Sequence, residues 1–170
     1  PTFEAVEEIN AILGDHGILS SDVRHILNLE CDKMVKRLSA IDPGIFFVPG
    51  HAWTPHFSIF GSNSGFDSPE ECFEDQTPKI FSIETGLSSN PEMNWRWSKL
   101  DRFTLTSNSD AHSPSKLGRE ANVFKSKIDY DELIDILKKK DRSRFLYTVE
   151  FFPEEGKYHW DGHRSCKARL

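Results

Sequence analysis

The stretch "RFTLTSNSDAHSPSKLGREAN", residues 102–122, joins a strand-like segment to residues that can carry chemistry. Its apolar start is followed by a run of Ser and Asn. Directly after this run come Asp110 and His112, with one residue between them. In extended backbone, residues i and i+2 point to the same side, so this carboxylate and this imidazole can converge on one metal ion or on two adjacent ions. A lone Asp-x-His motif is also common as a cap or in a structural hydrogen bond. The surrounding sequence is therefore needed to distinguish a metal site from a structural role.

Other strand-like segments end in a reactive side chain in the same way. His51 follows "FFVPG", Glu84 follows "IFSI", and Glu150 stands near the end of "FLYTV". Active sites of α/β folds are built at the carboxyl ends of the strands, which favours interpreting these residues together with Asp110 as one constellation. Taken singly, His51 is equally consistent with a structural histidine, and Glu84 is either a base behind the site or a cap of the turn that follows it.

The order of the apolar patterns predicts an α/β fold with a largely parallel sheet, because strands alternate with helices. A chain of 170 residues is long enough for one domain with a real core. Strand patterns cover residues 44–51, 79–86, 102–110, 122–125 and 143–152, and helix patterns cover residues 1–14, 30–42, 68–75, 90–101, 113–121 and 129–140.

Composition narrows the class of protein. The net charge of −6 does not indicate a nucleic-acid binder, so any such surface must be a local patch. The chain holds three widely spaced cysteines, which form no disulfide framework and make a reducing cytoplasm the simplest setting. The sequence contains no apolar run long enough for a membrane span, so no membrane contact is expected.

Aromatic and basic residues provide candidate substrate contacts. "HAWTPHF" contributes Trp53 and His56, and "NWRWSKLDR" contributes Arg96 between two tryptophans. Unpaired bases stack on aromatic faces and phosphates pair with Arg or Lys, although tryptophans at helical spacing are more often part of a core. In "SPSKLGRE", Lys116 and Arg119 stand at a predicted helix start, which is either a phosphate site or a solvated helix end.

The last segment, "HWDGHRSC", brings two histidines close to a cysteine. His163 and Cys166 have the composition of half a zinc site, without the second pair of ligands that would complete it. A frayed tail is the alternative interpretation of the same residues.

Four longer motifs together resemble one family: "HAWTP", "FGSNSGFDS", "IETGLSSNPEMNWR" and "LTSNSDAHSPSKLGREAN". They are similar to the polymerase and histidinol phosphatase (PHP) superfamily and, within it, to the endonuclease Q group, over roughly residues 10–166. The resemblance implies a distorted (β/α)7 TIM-like barrel with mostly parallel strands and up to three metal ions at the strand ends. It assigns residues 1–152 to part of that barrel and residues 153–170 to the beginning of a zinc-binding segment.

The resemblance also implies site residues and an activity. His51 matches the family's mid-chain histidine ligand, and Asp110 and His112 match its late Asp-x-His ligand pair. Glu84 matches the "ETG" segment and is expected to be catalytic rather than a metal ligand. The implied function is a metal-dependent endonuclease, using Zn, Mn or Mg, that binds damaged DNA and cuts on the 5′ side of deaminated or abasic nucleotides.

The sequence departs from the family pattern in two ways. It contains no His-x-His motif, and the family's early His and Glu ligands have no match, so we expect a fragment without the N-terminal strands. His56 stands where the group has a tryptophan. Two alternatives therefore stay open: a PHP hydrolase of small phosphomonoesters, and a catalytically incomplete module that binds DNA or another partner.

Overall fold

The structure, a computed structural model, describes residues 2–20, 27–63 and 65–158. It confirms a mixed α/β chain. The helices are α1 (Phe3–Gly14), α2 (Cys31–Ile41), α3 (Pro69–Phe73), α4 (Pro91–Trp95) and α5 (Tyr130–Lys139). The strands are β1 (Ser82–Glu84), β2 (Thr104–Thr106), β3 (Ala121–Phe124) and β4 (Phe145–Val149). Short 3-10 turns cover Glu74–Lys79, Ser98–Leu100, Pro114–Lys116 and Pro153–Glu155.

Three helix starts follow directly from cap residues in the sequence. Ser68, Asn90 and Asp129 each accept a hydrogen bond from the backbone N–H three residues further on, at 2.9 to 3.1 Å. Such caps satisfy a backbone donor that the helix itself leaves without a partner. The C-cap of α5 is Lys140, whose left-handed backbone (φ 52°) closes the helix, and two lysines lie in the last turn.

The strands pair in two ways. β1 and β2 are parallel, with Glu84 opposite Thr106, as predicted. β3 and β4 are antiparallel, so the prediction of mostly parallel strands is wrong for this pair. The apolar pattern of a strand does not specify the direction of its partner, because half-buried strands of both kinds can carry similar residues.

The segment that precedes His51 is not a regular strand, contrary to the prediction for residues 44–51. One parallel bridge joins Phe47 to Ile80, and the segment then accepts a hydrogen bond from Glu84 N at Pro49 O (3.0 Å). Pro49 has no N–H to donate, which explains why the ladder stops. The segment nevertheless runs beside β1, on the edge opposite β2.

The core lies between this small parallel sheet and the surrounding helices. Its largest cluster of buried side chains contains Val35, Ala52, Ile59, Phe60, Cys72, Phe73, Ile80, Ile83, Leu100 and Phe103. On the α5 side, Thr104 Oγ1 donates to Leu137 O at 2.7 Å and Ile136 is fully buried. Within the described ranges, the four strands form two separate two-stranded sheets, and a closed barrel is not seen.

The predicted helix at residues 113–121 is a single 3-10 turn, Pro114–Lys116. Gly118 adopts a left-handed backbone (φ 73°), which stops any continuation. One turn has almost no helix dipole, so the predicted phosphate site at a helix N-terminus loses its physical basis here. Among the residues placed by the structure, no helix has both the length and the apolarity needed to cross a bilayer.

Candidate functional site

Two loops, at the ends of the two parallel segments that flank β1, bring His51 and Asp110 together. The Nε2 atom of His51 lies 3.5 Å from Oδ2 of Asp110. Both residues have a left-handed backbone, with φ of 50° and 46°. This conformation costs a non-glycine residue about 1–2 kcal/mol, and such strain is found mainly where the surrounding structure holds a functional residue in place.

Glu84, the last residue of β1, ties these two loops to the sheet. Its Oε2 accepts a hydrogen bond from His51 N at 2.8 Å, and its Oε1 accepts one from Asn108 Nδ2 at 2.9 Å. The Glu84 backbone is also bonded on the His51 side, because Ala52 N donates to its carbonyl at 3.3 Å. Both carboxylate oxygens are therefore engaged, which supports a positioning role more directly than proton transfer.

Gly86 allows the His51 ring to lie where it does. Its φ is +66°, and a Cβ on this residue would lie 2.9 Å from His51 Nδ1 and 3.0 Å from His51 Cα. Any side chain here would push the imidazole away from Asp110. The glycine of the "ETG" segment is thus part of the geometry of the site.

Asn122 joins the Asp110 loop to the antiparallel pair β3–β4. Its Oδ1 accepts from Ser107 N at 2.9 Å and its Nδ2 donates to Ser107 O at 2.8 Å, as a paired strand would. The same Nδ2 lies 3.1 Å from Oδ1 of Asn108, the residue that donates to Glu84. Asn108 and Asn122 were not singled out from the sequence. In the sequence, these two residues are only an amide side chain just after one strand and another inside the next strand. This pattern is too common to indicate a functional site by itself.

His112 stands beside the pair at the rim of the site. Its Nδ1 lies 2.8 Å from the backbone oxygen of Asp110 and 3.8 Å from Asp110 Oδ1, and its side chain is 84% exposed. Asp110 is thus the residue that both histidines approach.

The donor chemistry of the His51–Asp110 pair fits a divalent metal. Two ligands about 2.0–2.2 Å from one ion lie roughly 3–4 Å apart, and Nε2 of His51 and Oδ2 of Asp110 meet that separation. Across the described residues, no three His, Cys, Asp or Glu side chains form a metal-binding group, so His112 does not complete a set in this arrangement. The predicted metal role stays a prediction.

Arg119 lies close to this site but is bound to its backbone. Its Nε donates to Ser109 O at 2.8 Å, Nη2 lies 3.4 Å from Asp110 O, and the guanidinium packs over the Phe151 ring. Arg119 therefore holds the loop that carries Asp110. Lys116 lies at the end of the exposed 3-10 turn nearby, where its ammonium faces solvent.

The remaining predicted substrate contacts lie elsewhere. The ring of Trp53 packs against Phe60 and Trp97, and its Nε1 donates to Asn94 Oδ1 at 2.8 Å, which makes it part of the aromatic side of the core. Two of the predicted contacts, His56 and Arg96, are exposed.

Within the described residues, His56 does not join the His51 cluster. Its ring lies beside that of Phe57, and its Nε2 is 3.2 Å from Asn63 Nδ2. Arg96 follows the last residue of α4. Both stay predictions as substrate contacts.

A buried carboxylate, Glu120, and a half-buried one, Glu150, lie close to the site. Glu120 is only 3% exposed, and its Oε1 accepts from Phe151 N at 3.3 Å, while Glu150 Oε2 accepts from Thr85 Oγ1 at 3.0 Å. In the described part of the chain, the second oxygen of each has no hydrogen-bond partner. Burial raises the pKa of both, that of Glu120 to about 7, where the nearby charges of Glu150 and Glu84 also raise it. Glu120 was missed in the sequence, because nothing in "GREAN" signals a buried acid.

The possible second zinc site, His163 and Cys166, lies outside the described residues. The boundary predicted between residues 152 and 153 falls where the 3-10 turn Pro153–Glu155 begins, and it also stays a prediction.

A solved structure of known activity has the same fold over nearly the whole chain. The lesion-specific endonuclease PfuEndoQ from Pyrococcus furiosus matches with a TM-score of 0.77 and 29% sequence identity, over 94% of this chain and 39% of that protein. The chain resembles part of an endonuclease. No family model matches the sequence.

Two uncharacterised proteins are similar in sequence. YqxK of Bacillus subtilis (strain 168) is 33% identical over 126 residues, which are 74% of this chain and 32% of YqxK. MJ0043 of Methanocaldococcus jannaschii is 32% identical over 127 residues, which are 71% of this chain and 15% of MJ0043. The chain thus spans about a third or less of the two relatives and about two fifths of PfuEndoQ.

Proposed function

We propose that the chain is part of a metal-dependent phosphodiester hydrolase of the endonuclease Q type, which cuts DNA on the 5′ side of deaminated or abasic nucleotides. The observation that carries the proposal is the approach of His51 to Asp110 at the ends of the two parallel segments that flank β1, with both residues in strained backbone. The fold shared with a lesion-specific endonuclease supports the reaction class. Membership of the PHP superfamily and a (β/α)7 barrel in the complete protein belong to the same proposal.

His51, Asp110 and His112 would hold a Zn, Mn or Mg ion, with more than one ion in the complete protein. A divalent ion bound there supplies charge for the scissile phosphate and lowers the pKa of a bound water. The chain's own contribution is positioning. Glu84 fixes the His51 loop, and Arg119 fixes the Asp110 loop by binding its carbonyls.

Damaged DNA is the proposed partner. Lys116 is exposed at the end of the 3-10 turn that follows His112, and its ammonium suits a phosphate. Trp95, with 64% of its surface exposed, offers an aromatic face for a base, whereas Trp53 is packed into the core. Arg96 follows Trp95 directly and is also exposed, so one surface combines stacking with charge.

The first prediction concerns Asp110, because it faces both histidines. Asp110→Ala should lower the rate of single-turnover nicking of a duplex with one deoxyuridine, in Mn²⁺ or Mg²⁺, by at least about 100-fold. Mutation of residues that only support metal ligands already lowers metal affinity or activity by about 10–100-fold. Cleavage products on a denaturing gel measure the rate, and equilibrium dialysis with Mn²⁺ measures metal binding. Asp131→Ala, at an exposed position in the first turn of α5, is the matched control.

Unchanged cutting by Asp110→Ala would contradict the proposal. The non-enzymatic alternative rests on one observation, namely that no three ligands converge in the described residues. If the wild-type chain binds damaged duplex in fluorescence anisotropy but retains no metal and cuts nothing, the binding module is the better function. Release of inorganic phosphate from p-nitrophenyl phosphate without nicking would favour a small phosphomonoester as substrate.

A further inference from the structure

Cys31 and Cys72 lie on two helices, α2 and α3, that pack against each other. Cys31 is the first residue of α2, and Cys72 is the fourth residue of α3. Both are free thiols, and Cys31 packs against the buried core cluster to which Cys72 belongs. They stand far apart in sequence, so the contact is created by the packing of α2 on α3.

The environments of the two thiols differ. Cys72 is 4% exposed and belongs to the core cluster, whereas Cys31 is only partly buried. The hydrogen bond from the Cys72 thiol lowers the pKa of Cys31 to about 7, and the same bond together with burial raises the pKa of Cys72. The first turn of a helix further favours a thiolate at Cys31. One sulfur is thus the nucleophile near neutral pH, and the other keeps its proton.

Small molecules can reach Cys31. It lines a cavity of about 380 Å³ whose wall is otherwise almost entirely apolar, formed by residues that include Met34, Val35, Phe47 and Phe73. An uncharged oxidant suits such a wall better than an anion, because a charge would lose its hydration there.

We propose that Cys31 and Cys72 are a peroxide-reactive pair that closes into a disulfide bridging α2 and α3. The Cys31 thiolate attacks one oxygen of hydrogen peroxide, which breaks the O–O bond and gives a sulfenic acid and hydroxide. The Cys72 sulfur then attacks the Cys31 sulfur, a S–S bond forms, and the sulfenic oxygen leaves as water with the thiol proton. The two sulfurs lose two electrons, which reduce one peroxide to two waters.

The bridge would close the chain between residues 31 and 72 into a loop. That loop contains His51 and Trp53, so oxidation would restrain the segment that carries one half of the candidate site. A cross-link of this kind stabilises the folded state mainly by limiting the unfolded one.

The test uses the full chain with equimolar hydrogen peroxide at neutral pH, followed by intact and peptide mass spectrometry without reductant. We expect a monomer that is lighter by two hydrogen atoms, a peptide pair joined through Cys31 and Cys72, and a Tm higher by roughly 5–10 °C that reverts with dithiothreitol. Cys166→Ser should behave like wild type, because the third cysteine is not needed. In Cys72→Ser, the oxidation should stop at a sulfenic acid on Cys31, which dimedone should trap.

Cys31→Ser supplies a variant at the partly exposed position, so the test does not depend on a change in the core. It should leave Cys72 reduced under the same conditions. Disulfide-linked dimers, a bridge to Cys166, sulfinic acid on Cys31 while Cys72 is present, or a full set of free thiols after treatment would each overturn the proposal.

Discussion

Single residues in unusual backbone conformations define the site most sharply. His51 and Asp110 are both left-handed without being glycine, and each lies in a loop that hydrogen bonds hold from outside. The sequence indicated that these two residues meet at the strand ends, and the structure places them 3.5 Å apart. It also shows what the sequence could not, namely that the His51 ring packs directly against Gly86 and leaves no room for a side chain there.

Gly86→Ala should therefore cost more than an ordinary glycine substitution. A left-handed alanine costs about 1–2 kcal/mol, and the added Cβ would also press on His51 at 2.9 Å. We expect the free energy of unfolding to fall by roughly 2–4 kcal/mol in urea denaturation. Gly118→Ala is the matched control, because Gly118 has a similar φ of +73° but nothing within 4 Å of its Cβ.

The difference between the two variants isolates the contact with His51. Equal losses for Gly86→Ala and Gly118→Ala would show that the His51 ring does not depend on the glycine.

At the scale of elements, helix starts were predicted well and strand extents were not. Caps at Ser68, Asn90 and Asp129 act through bonds to the next turn, so a few adjacent residues suffice to place them. Strand extent depends on a distant partner. Pro49 ends the ladder beside β1, and Asn122 replaces backbone pairing at the end of β2 with side-chain bonds.

Asn122→Ala tests whether this amide joins the two sheets. It removes both hydrogen bonds to Ser107. The N–H and C=O groups of Ser107 then either bind water or have no hydrogen-bond partner. We expect a loss of about 1–3 kcal/mol in the free energy of unfolding, measured by urea denaturation, and weaker Mn²⁺ binding, because Asn108 and the Asp110 loop lose support.

Lys125→Ala, one residue beyond β3 and exposed, is the comparison and should stay within about 0.5 kcal/mol of wild type. If both alanine variants match wild type in stability and in metal affinity, the bridge between the sheets does not matter.

The whole molecule buries a carboxylate that will make its stability depend on pH. Burial raises the pKa of Glu120 from 4.5 to about 7, so between these values the folded state keeps a proton that the unfolded state has lost. The free energy of unfolding therefore falls as pH rises from about 4.5 to 7, and the contribution is constant above that range.

Glu120→Gln should remove this loss, since an uncharged amide of the same shape needs no proton. We expect the variant to match wild type near pH 4.5 and to exceed it by on the order of 1–3 kcal/mol at pH 8, in urea denaturation across that range. Glu154→Gln, at an exposed position, controls for the change in net charge. A difference between Glu120→Gln and wild type that does not vary with pH would refute the assignment.

The sequence by itself determined the α/β class, the helix starts and the position of Glu84 at the end of β1, because caps, apolar periods and motif spacing are local. Only the tertiary structure decided that β3 and β4 run antiparallel, that Arg119 binds the Asp110 loop rather than solvent, and that Glu120 is buried. Each of these depends on which distant segments pack together. The free energies of burial and of strand pairing depend on residues far apart in the sequence, so no short stretch of residues determines them.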